Sequence, residues 1–328
     1  MIRNKKILVT GGAGFIGSNL VELLLKYDNK VTVLDNFSTG RRENLAGFAD
    51  NEKFTLIEGD IRDYDTCLEA CGNQDFILHQ AALGSVPRSI KDPVMTNDVN
   101  VGGFVKMLHA AVECKVGRFV YAASSSAYGD STELPKVEQR IGKQLSPYAI
   151  SKYVDELYAE NFHNIYGIDC IGLRYFNVFG RRQSPEGAYA AVIPKFADAL
   201  IKKESPVING DGSYSRDFTY IDNVLQANML ALETENPAAL NQIYNVACGD
   251  SIDLNGLFAA LRENLGRFDA GILKVEAIHG PNRAGDIPHS LADISKIKTL
   301  LGYEPSVSAA EGIALAAEFY YKTYASKD

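Results

Sequence analysis

KILVTGGAGFIGSNLVELLLK, residues 6–26, joins a short apolar run to an amphipathic stretch through a turn punctuated by Gly11, Gly14 and Gly17. Lys6–Thr10 reads as a buried strand and Phe15–Lys26 as a helix. Three glycines at that junction have separate tasks: a tight turn, room for backbone to approach a pyrophosphate, and close packing of helix on strand. The N–H groups at the helix start can then receive phosphate charge. A glycine-rich turn can also be purely structural, so the residues downstream decide. Asp35 closes a second β-rich run about 20 residues on, where a carboxylate accepts from both adenosine ribose hydroxyls and repels a 2′-phosphate. The expected dinucleotide is therefore NAD, although Arg41 and Arg42 follow closely enough to serve a 2′-phosphate. Asp60, in GDIRD, is placed to meet the adenine edge or to cap a turn.

Working outward, β-rich runs at Lys6–Thr10, Lys30–Asp35, Phe54–Glu58, Phe76–Gln80, Arg118–Ala122 and Cys170–Tyr175 alternate with helical patterns. Those helical patterns lie near Phe15–Lys26, Tyr64–Ala70, Asn97–Cys114 and Pro147–Tyr166. Regular alternation implies right-handed crossovers and an α/β fold with a doubly wound parallel sheet, the Rossmann arrangement. Residues 1–176 are expected to form the dinucleotide-binding domain and 177–328 a smaller α/β lobe. Part of the chain, about 217–248, returns to the first domain, because Ile243–Val246 reads as one more buried strand.

The composition, 46% hydrophobic and 23% charged, is that of a globular chain, and 328 residues can bury a substantial core. A net charge of -8 argues against a nucleic-acid partner. No apolar stretch approaches the roughly 20 residues of a membrane span. Lys5 and Lys6 precede an apolar run as in a secretion signal, but glycines break it and no cleavage site follows. Cys67, Cys71, Cys114, Cys170 and Cys248 are odd in number and scattered, which fits reduced thiols and a cytoplasmic location. Cys67 and Cys71 lack neighbouring ligands, so no metal site is expected.

SPYAISK, residues 146–152, puts Tyr148 and Lys152 at i and i+4, on one face of a helix starting near Pro147. A free tyrosine, with a pKa of about 10, is a poor base at neutral pH until positive charge stabilises its phenolate. Lys152 and an oxidised nicotinamide would supply that charge together. The bland alternative is an exposed amphipathic helix. Against it stand Ser124, Ser125 and Ser126 at the end of the fifth strand, because ligands bind outside the carboxyl ends of strands in such sheets. Ser124 can share a substrate proton with Tyr148; turn capping is the competing role for all three serines.

With these residues in place, the chain resembles the extended short-chain dehydrogenase/reductase family, and within it the UDP-sugar 4-epimerases. The resemblance runs through TGGAGFIG, DNFSTG, GDIRD, HQAA, SSSAYG, SPYAISK, RYFNVFG, RDFTYIDN and RAGDIPHS. ALGSVPRS (82–89), GRRQ (180–183) and AYAAVIPKF (188–196) are most similar to the UDP-N-acetylglucosamine/UDP-N-acetylgalactosamine 4-epimerases. The resemblance implies Ser124, Tyr148 and Lys152 as the catalytic set. It implies NAD contacts from Gly11, Gly14, Phe15, Ile16 and Gly17, then from Asp35, Asn36, Ser38, Gly40, Asp60 and Ile61. Gln80, Ala81, Ala82, Asn100 and Tyr175 complete that group, and Lys152 bonds the nicotinamide ribose. For the substrate it implies Asn177, Arg216 and Arg283 on the UDP diphosphate and Asp286 on the uridine ribose. The sugar falls to Gly84, Ser85, Ser125, Ser126 and Gln183, with Ala191, Val192, Lys195 and Ser290.

The reaction implied is a closed cycle. Tyr148 removes the 4-OH proton while C4 gives hydride to NAD, the 4-keto sugar turns over, and the hydride returns to its other face. A homodimer is expected through the helices near Asn97–Cys114 and Pro147–Tyr166. UDP-glucuronate epimerisation is an alternative substrate reading. A dehydratase would need an acid and a base after the catalytic hydroxyl, where Ser125 and Ser126 stand. A net dehydrogenase would release NADH, and a nucleotide-sensing regulator would be marked by loss of Tyr148 or Lys152, both of which are intact. Ser290 is expected beside the hexose, or else to be an exposed serine at the start of a helix at Asp293.

Overall fold

The computed structural model describes residues 1–186, 191–281 and 287–325. Six strands alternate with helices in the first half: β1 (Lys6–Thr10), β2 (Lys30–Asp35), β3 (Phe54–Glu58), β4 (Phe76–His79), β5 (Arg118–Ser124) and β6 (Cys170–Tyr175). A seventh strand, Gln242–Val246, pairs in parallel with β6. The sheet order is Gln242–Val246, β6, β5, β4, β1, β2, β3, parallel throughout. The chain thus runs outward from β1 to β3 and then crosses back to β4 on the other side of β1. That reversal leaves a crevice at the carboxyl ends of β1 and β4, where doubly wound sheets bind ligands.

Alternating side chains explain the apolar runs. Leu8, Leu34, Ile77, Phe119 and Tyr121 pack into one core with Cys67, Met107 and Leu108. Ile7, Val9, Val31, Val33, Leu78 and Val120 pack into the other with Leu20, Val21 and Leu24. Strands covered on both faces need apolar residues at both parities, which is why they read as continuous hydrophobic runs. The second core continues through Phe196, Leu257, Leu261 and Ile313, so the helices Val192–Ile201, Leu254–Gly266 and Ala309–Tyr324 are packed onto the same apolar mass.

The helices are α1 (Phe15–Lys26), α2 (Tyr64–Cys71), α3 (Val86–Lys91), α4 (Pro93–Asn97), α5 (Phe104–Glu113) and α6 (Pro147–Tyr166). The single helix expected over Asn97–Cys114 is instead α4 and α5 joined by a π-helical turn at Asp98–Gly103. Asn100 sits in that turn and is tied by its side chain to Leu83 N (2.7 Å) and to Ser151 Oγ (3.0 Å). The fifth strand runs two residues further than expected, to Ser124, and the helix expected at Asp293 begins at Ser295. The boundaries of α6 follow from local chemistry. Ser146 Oγ accepts from Ala149 N at 3.1 Å, Pro147 occupies the first turn, and Gly167 ends the helix at a left-handed φ of 74°. Among the described residues no helix is long and apolar enough to cross a membrane.

Candidate active site

A cavity of about 420 Å3 opens at the crevice between β1 and β4. Gly11, Gly14, Phe15, Ile16 and Gly17 form one wall. The turn cannot carry side chains at its two tightest points. Gly11 holds φ at 67°, and a Cβ there would meet Ala81 N at 2.7 Å; a Cβ on Gly17 would lie 2.2 Å from Gly11 O. A helix leaves its first N–H groups without intrahelical partners, and at α1 these belong to the residues lining the cavity.

Asp35 stands at the end of β2, buried, with Oδ2 accepting from Ala13 N (2.9 Å) and Oδ1 from Phe37 N (2.8 Å). Burial raises its pKa, and the two backbone hydrogen bonds oppose that shift. Each oxygen keeps a lone pair for a ribose hydroxyl. Arg41 pairs with Glu186 and Ser184, and Arg42 with Glu58 at 2.6 Å, so both guanidinium groups already face carboxylates. Asp60 lines the cavity and accepts from Arg62 N at 2.8 Å within its turn. The Arg62 guanidinium draws the Asp60 pKa down to about 2.

At the other end, Ser124, Tyr148 and Lys152 converge on the same cavity. Ser124 Oγ accepts from Ser126 N (3.1 Å) and from Ser126 Oγ (2.9 Å), so its own proton is free to donate. Lys152 Nζ donates to Ala122 O at 3.0 Å and to Asp155 Oδ2 at 3.1 Å, which leaves one N–H. His79 lies beneath, bonded through Nδ1 to Thr10 Oγ1 at 2.9 Å; burial, helped by the Lys152 charge, lowers its pKa to about 3 and keeps the ring neutral.

Asn36, Ser38, Gly40, Ile61, Gln80, Ala81, Ala82, Gly84 and Tyr175 also line the cavity. Asn100 stands behind its wall. The remaining residues expected at the substrate are spread over neighbouring segments. Ser85 caps α3 through Arg88 N (3.2 Å), and Gln183 is bonded to Val178 O (3.1 Å) and Tyr320 Oη (3.4 Å). Ala191 and Lys195 are exposed and Val192 half-buried at one helix start. Asn177 Nδ2 donates to Asp217 O at 2.9 Å, beside Arg216. Ser290 is not a helix-starting serine: it pairs with Arg216 in a two-residue parallel strand. Arg283 and Asp286 lie outside the described residues. Leu34, Thr39, Gly59, Leu83, Val99, Ala122, Ala123 and Val178 line the cavity without having been singled out in the sequence. Several stand next to expected residues at strand ends, which is the signal that would have found them. Among the described residues no cluster suits a metal ion, and all five cysteines are free.

A glycine-rich turn at the first helix, an acidic residue ending the second strand and a Ser–Tyr–Lys set across the crevice define a dinucleotide-dependent enzyme of the doubly wound class. The chain belongs to the NAD dependent epimerase/dehydratase family, whose model matches residues 7–247. It is 38% identical over 317 residues to a UDP-glucose 4-epimerase of Mycolicibacterium smegmatis, covering 96% of this chain and 98% of that one. It is similar to the structure of a UDP-N-acetylglucosamine 4-epimerase from Methanobrevibacter ruminantium in complex with UDP-N-acetylmuramic acid. There the TM-score is 0.91, at 38% identity, with 98% and 100% of the two chains covered. A UDP-glucose 4-epimerase from Thermotoga maritima with UDP-glucose gives a TM-score of 0.89 at 36% identity, covering 97% and 99%.

Proposed function

We propose that this chain interconverts UDP-N-acetylglucosamine and UDP-N-acetylgalactosamine at C4, and UDP-glucose and UDP-galactose as well, with NAD retained through the cycle. The observation that carries this reading is the convergence of Ser124, Tyr148 and Lys152 on the cavity that Gly11, Gly17 and Asp35 also line. These residues fit NAD: the side-chain-free turn leaves backbone N–H groups for the pyrophosphate, and the buried Asp35 carboxylate suits two ribose hydroxyls. When bound, NAD supplies reversible hydride acceptance at the sugar C4. Tyr148 takes the 4-OH proton and returns it, and Ser124 keeps its own proton and donates a hydrogen bond to the same oxygen. The remaining N–H of Lys152 is available to the nicotinamide ribose.

In the division of labour proposed here, residues 1–176 hold NAD and 177–328 hold the UDP-sugar. Arg216 and Arg283 suit a diphosphate, because guanidinium groups make bidentate, charge-assisted bonds to phosphate oxygens. Asn177 adds a polar contact, and Asp286 meets the uridine ribose. Ser125 and Ser126 occupy the positions a dehydratase needs for its acid and base, which favours epimerisation. The test is to incubate the purified protein separately with UDP-N-acetylglucosamine, UDP-glucose and UDP-glucuronate and to resolve the C4 epimers. The expected result is an acetylated reaction at least as fast as the non-acetylated one; conversion of the glucuronate alone would replace the substrate assignment.

Asp35→Ala is expected to weaken NAD retention roughly tenfold or more, the scale of a lost charged hydrogen bond. It is also expected to narrow discrimination against NADP, read from the cofactor content and binding of the purified variant. Unchanged preference would move the determinant away from Asp35. A homodimer belongs to the same reading. On α6, Ile150, Leu157, Tyr158 and Ile165 recur at helical spacing and are 37–62% exposed, an apolar stripe left uncovered by the described residues. Light scattering is expected to give twice the chain mass, and Ile150→Glu with Leu157→Glu to give monomers; a monomeric wild type rejects the dimer.

A further inference from the structure

Tyr148, Lys152 and Asp155 lie along one stripe of α6, at i, i+4 and i+7. Asp155 is fully buried and Lys152 is 3% exposed, with Nζ 3.1 Å from Asp155 Oδ2. The other oxygen, Asp155 Oδ1, has no hydrogen-bond partner among the described residues. A buried carboxylate left half-satisfied is a poor source of stability, since desolvation offsets most of the gain from pairing. Its place against the ammonium that serves the proposed base calls for another explanation.

We infer that Asp155 is a positioning residue for Lys152: it fixes the ammonium beside the cavity and offsets part of that ammonium's field at Tyr148, so setting the pH at which the phenol ionises. The inference rests on the reading of Tyr148 as the base. The surrounding groups leave Asp155 the means to do this. On its own helix, Glu156 is committed to Arg174 through bonds of 2.7 and 2.8 Å. On β5, Tyr121 is a buried phenol pushed well above its ordinary pKa by burial, so it carries no charge. On β4, His79 is held neutral. On β6, the Cys170 thiol is pushed up to about 12 by burial, and Arg174 is the cation of the Glu156 pair. The ammonium that Asp155 directly meets is Lys152. Burial raises the Asp155 pKa to about 7 against the pull of Lys152, so its charge changes in the neutral range.

Two helical turns separate Asp155 from Tyr148, about 10 Å along the axis. A unit charge at that distance, with an effective dielectric constant of about 20, shifts an ionisation by about one pH unit. Asp155→Asn keeps the shape and an oxygen acceptor for Nζ while removing the charge. In the native state a carboxyl with raised pKa loses stability as pH rises from about 4 towards 7. The neutral variant escapes that loss, so it is expected to melt no lower than wild type at pH 8.

The experiment titrates the NAD-loaded enzyme by ultraviolet difference spectroscopy. The chain has 17 tyrosines, so each protein is referenced to its own Tyr148→Phe counterpart, which isolates one phenol. Asp155→Asn is expected to lower the Tyr148 midpoint by about one unit, and the acid limb of kcat/KM is expected to move with it. Asp155→Ala is expected to shift the midpoint equally and to lose a further severalfold in kcat, because Nζ keeps Ala122 O but loses the side-chain acceptor that fixes its position. A midpoint equal to wild type in both variants overturns the inference while leaving Tyr148 as the base. A wild-type Tyr148 that ionises no earlier than the other tyrosines, in a protein without epimerase activity, removes both.

Discussion

Tyr148→Phe is expected to lower turnover by at least about 100-fold while leaving the fold and the bound NAD nearly unchanged, the usual scale for losing a positioned acid/base group. The ring of Tyr148 is half-buried at the cavity wall, and phenylalanine preserves its packing. What disappears is the oxygen that exchanges the 4-OH proton. Ser124 cannot replace it: a serine hydroxyl is far too weak an acid to stand ionised at neutral pH, and its oxygen already accepts two hydrogen bonds from Ser126. Because the loss falls on the chemical step, kcat and kcat/KM should drop together. Steady-state rates, circular dichroism and cofactor absorbance of the purified variant check the three parts. Near-normal turnover in a folded, NAD-containing variant would sink the proposed mechanism.

The parts of this site that were legible in the sequence are those that local chemistry writes into consecutive residues. The glycine turn, Asp35 and the spacing of Tyr148 and Lys152 each require a residue type at a fixed offset within one strand–helix junction or one helix. The central β-runs were equally plain because both faces of the sheet are covered there, and the β1, β2 and β3 spans agree with those runs residue for residue, although β3, at the sheet edge, is partly exposed. Features that depend on tertiary contacts were not legible. The fifth strand continues through Ala123 and Ser124 because backbone pairing with Arg174 and Tyr175 holds them, although a serine run reads as a turn. The π turn at Asp98–Gly103 is stabilised by Asn100 reaching Leu83 and Ser151, residues distant in the chain. The bond of Asp155 to Lys152 has the spacing of any helical i, i+3 pair, and only its burial sets it apart, which the sequence does not show. Two-residue strands such as Ser215–Arg216 and His289–Ser290 are too short to carry a period of any kind.

Ser290→Tyr is expected to abolish the acetylated reaction while sparing UDP-galactose, with a change in relative kcat/KM of about 100-fold. The structure sharpens the reason. Ser290 pairs in register with Arg216, and its carbonyl accepts from Asp217 N at 2.9 Å. Asp217 is itself pinned: its carboxylate accepts from Cys248 N and Gly249 N, both at 3.0 Å, and from Ala292 N at 3.4 Å. The backbone at Ser290 is therefore held on both sides and has little room to retreat from a larger side chain. If Arg216 grips the diphosphate as proposed, the hexose passes close to this strand. A tyrosine ring must then take its volume from the sugar's space, and the group nearest to collision is the acetamido substituent at C2 when the intermediate turns over. Overpacking a rigid site costs roughly 1–3 kcal/mol, and about 1.4 kcal/mol corresponds to tenfold, so the upper end of that range gives the expected discrimination. A C2 hydroxyl is small enough to escape it. Rates with UDP-N-acetylgalactosamine and UDP-galactose, measured side by side on wild type and variant, read the effect. Equal slowing of both pairs, or slowing of neither, would remove Ser290 from the pocket wall and take with it the main residue-level support for an acetylated substrate.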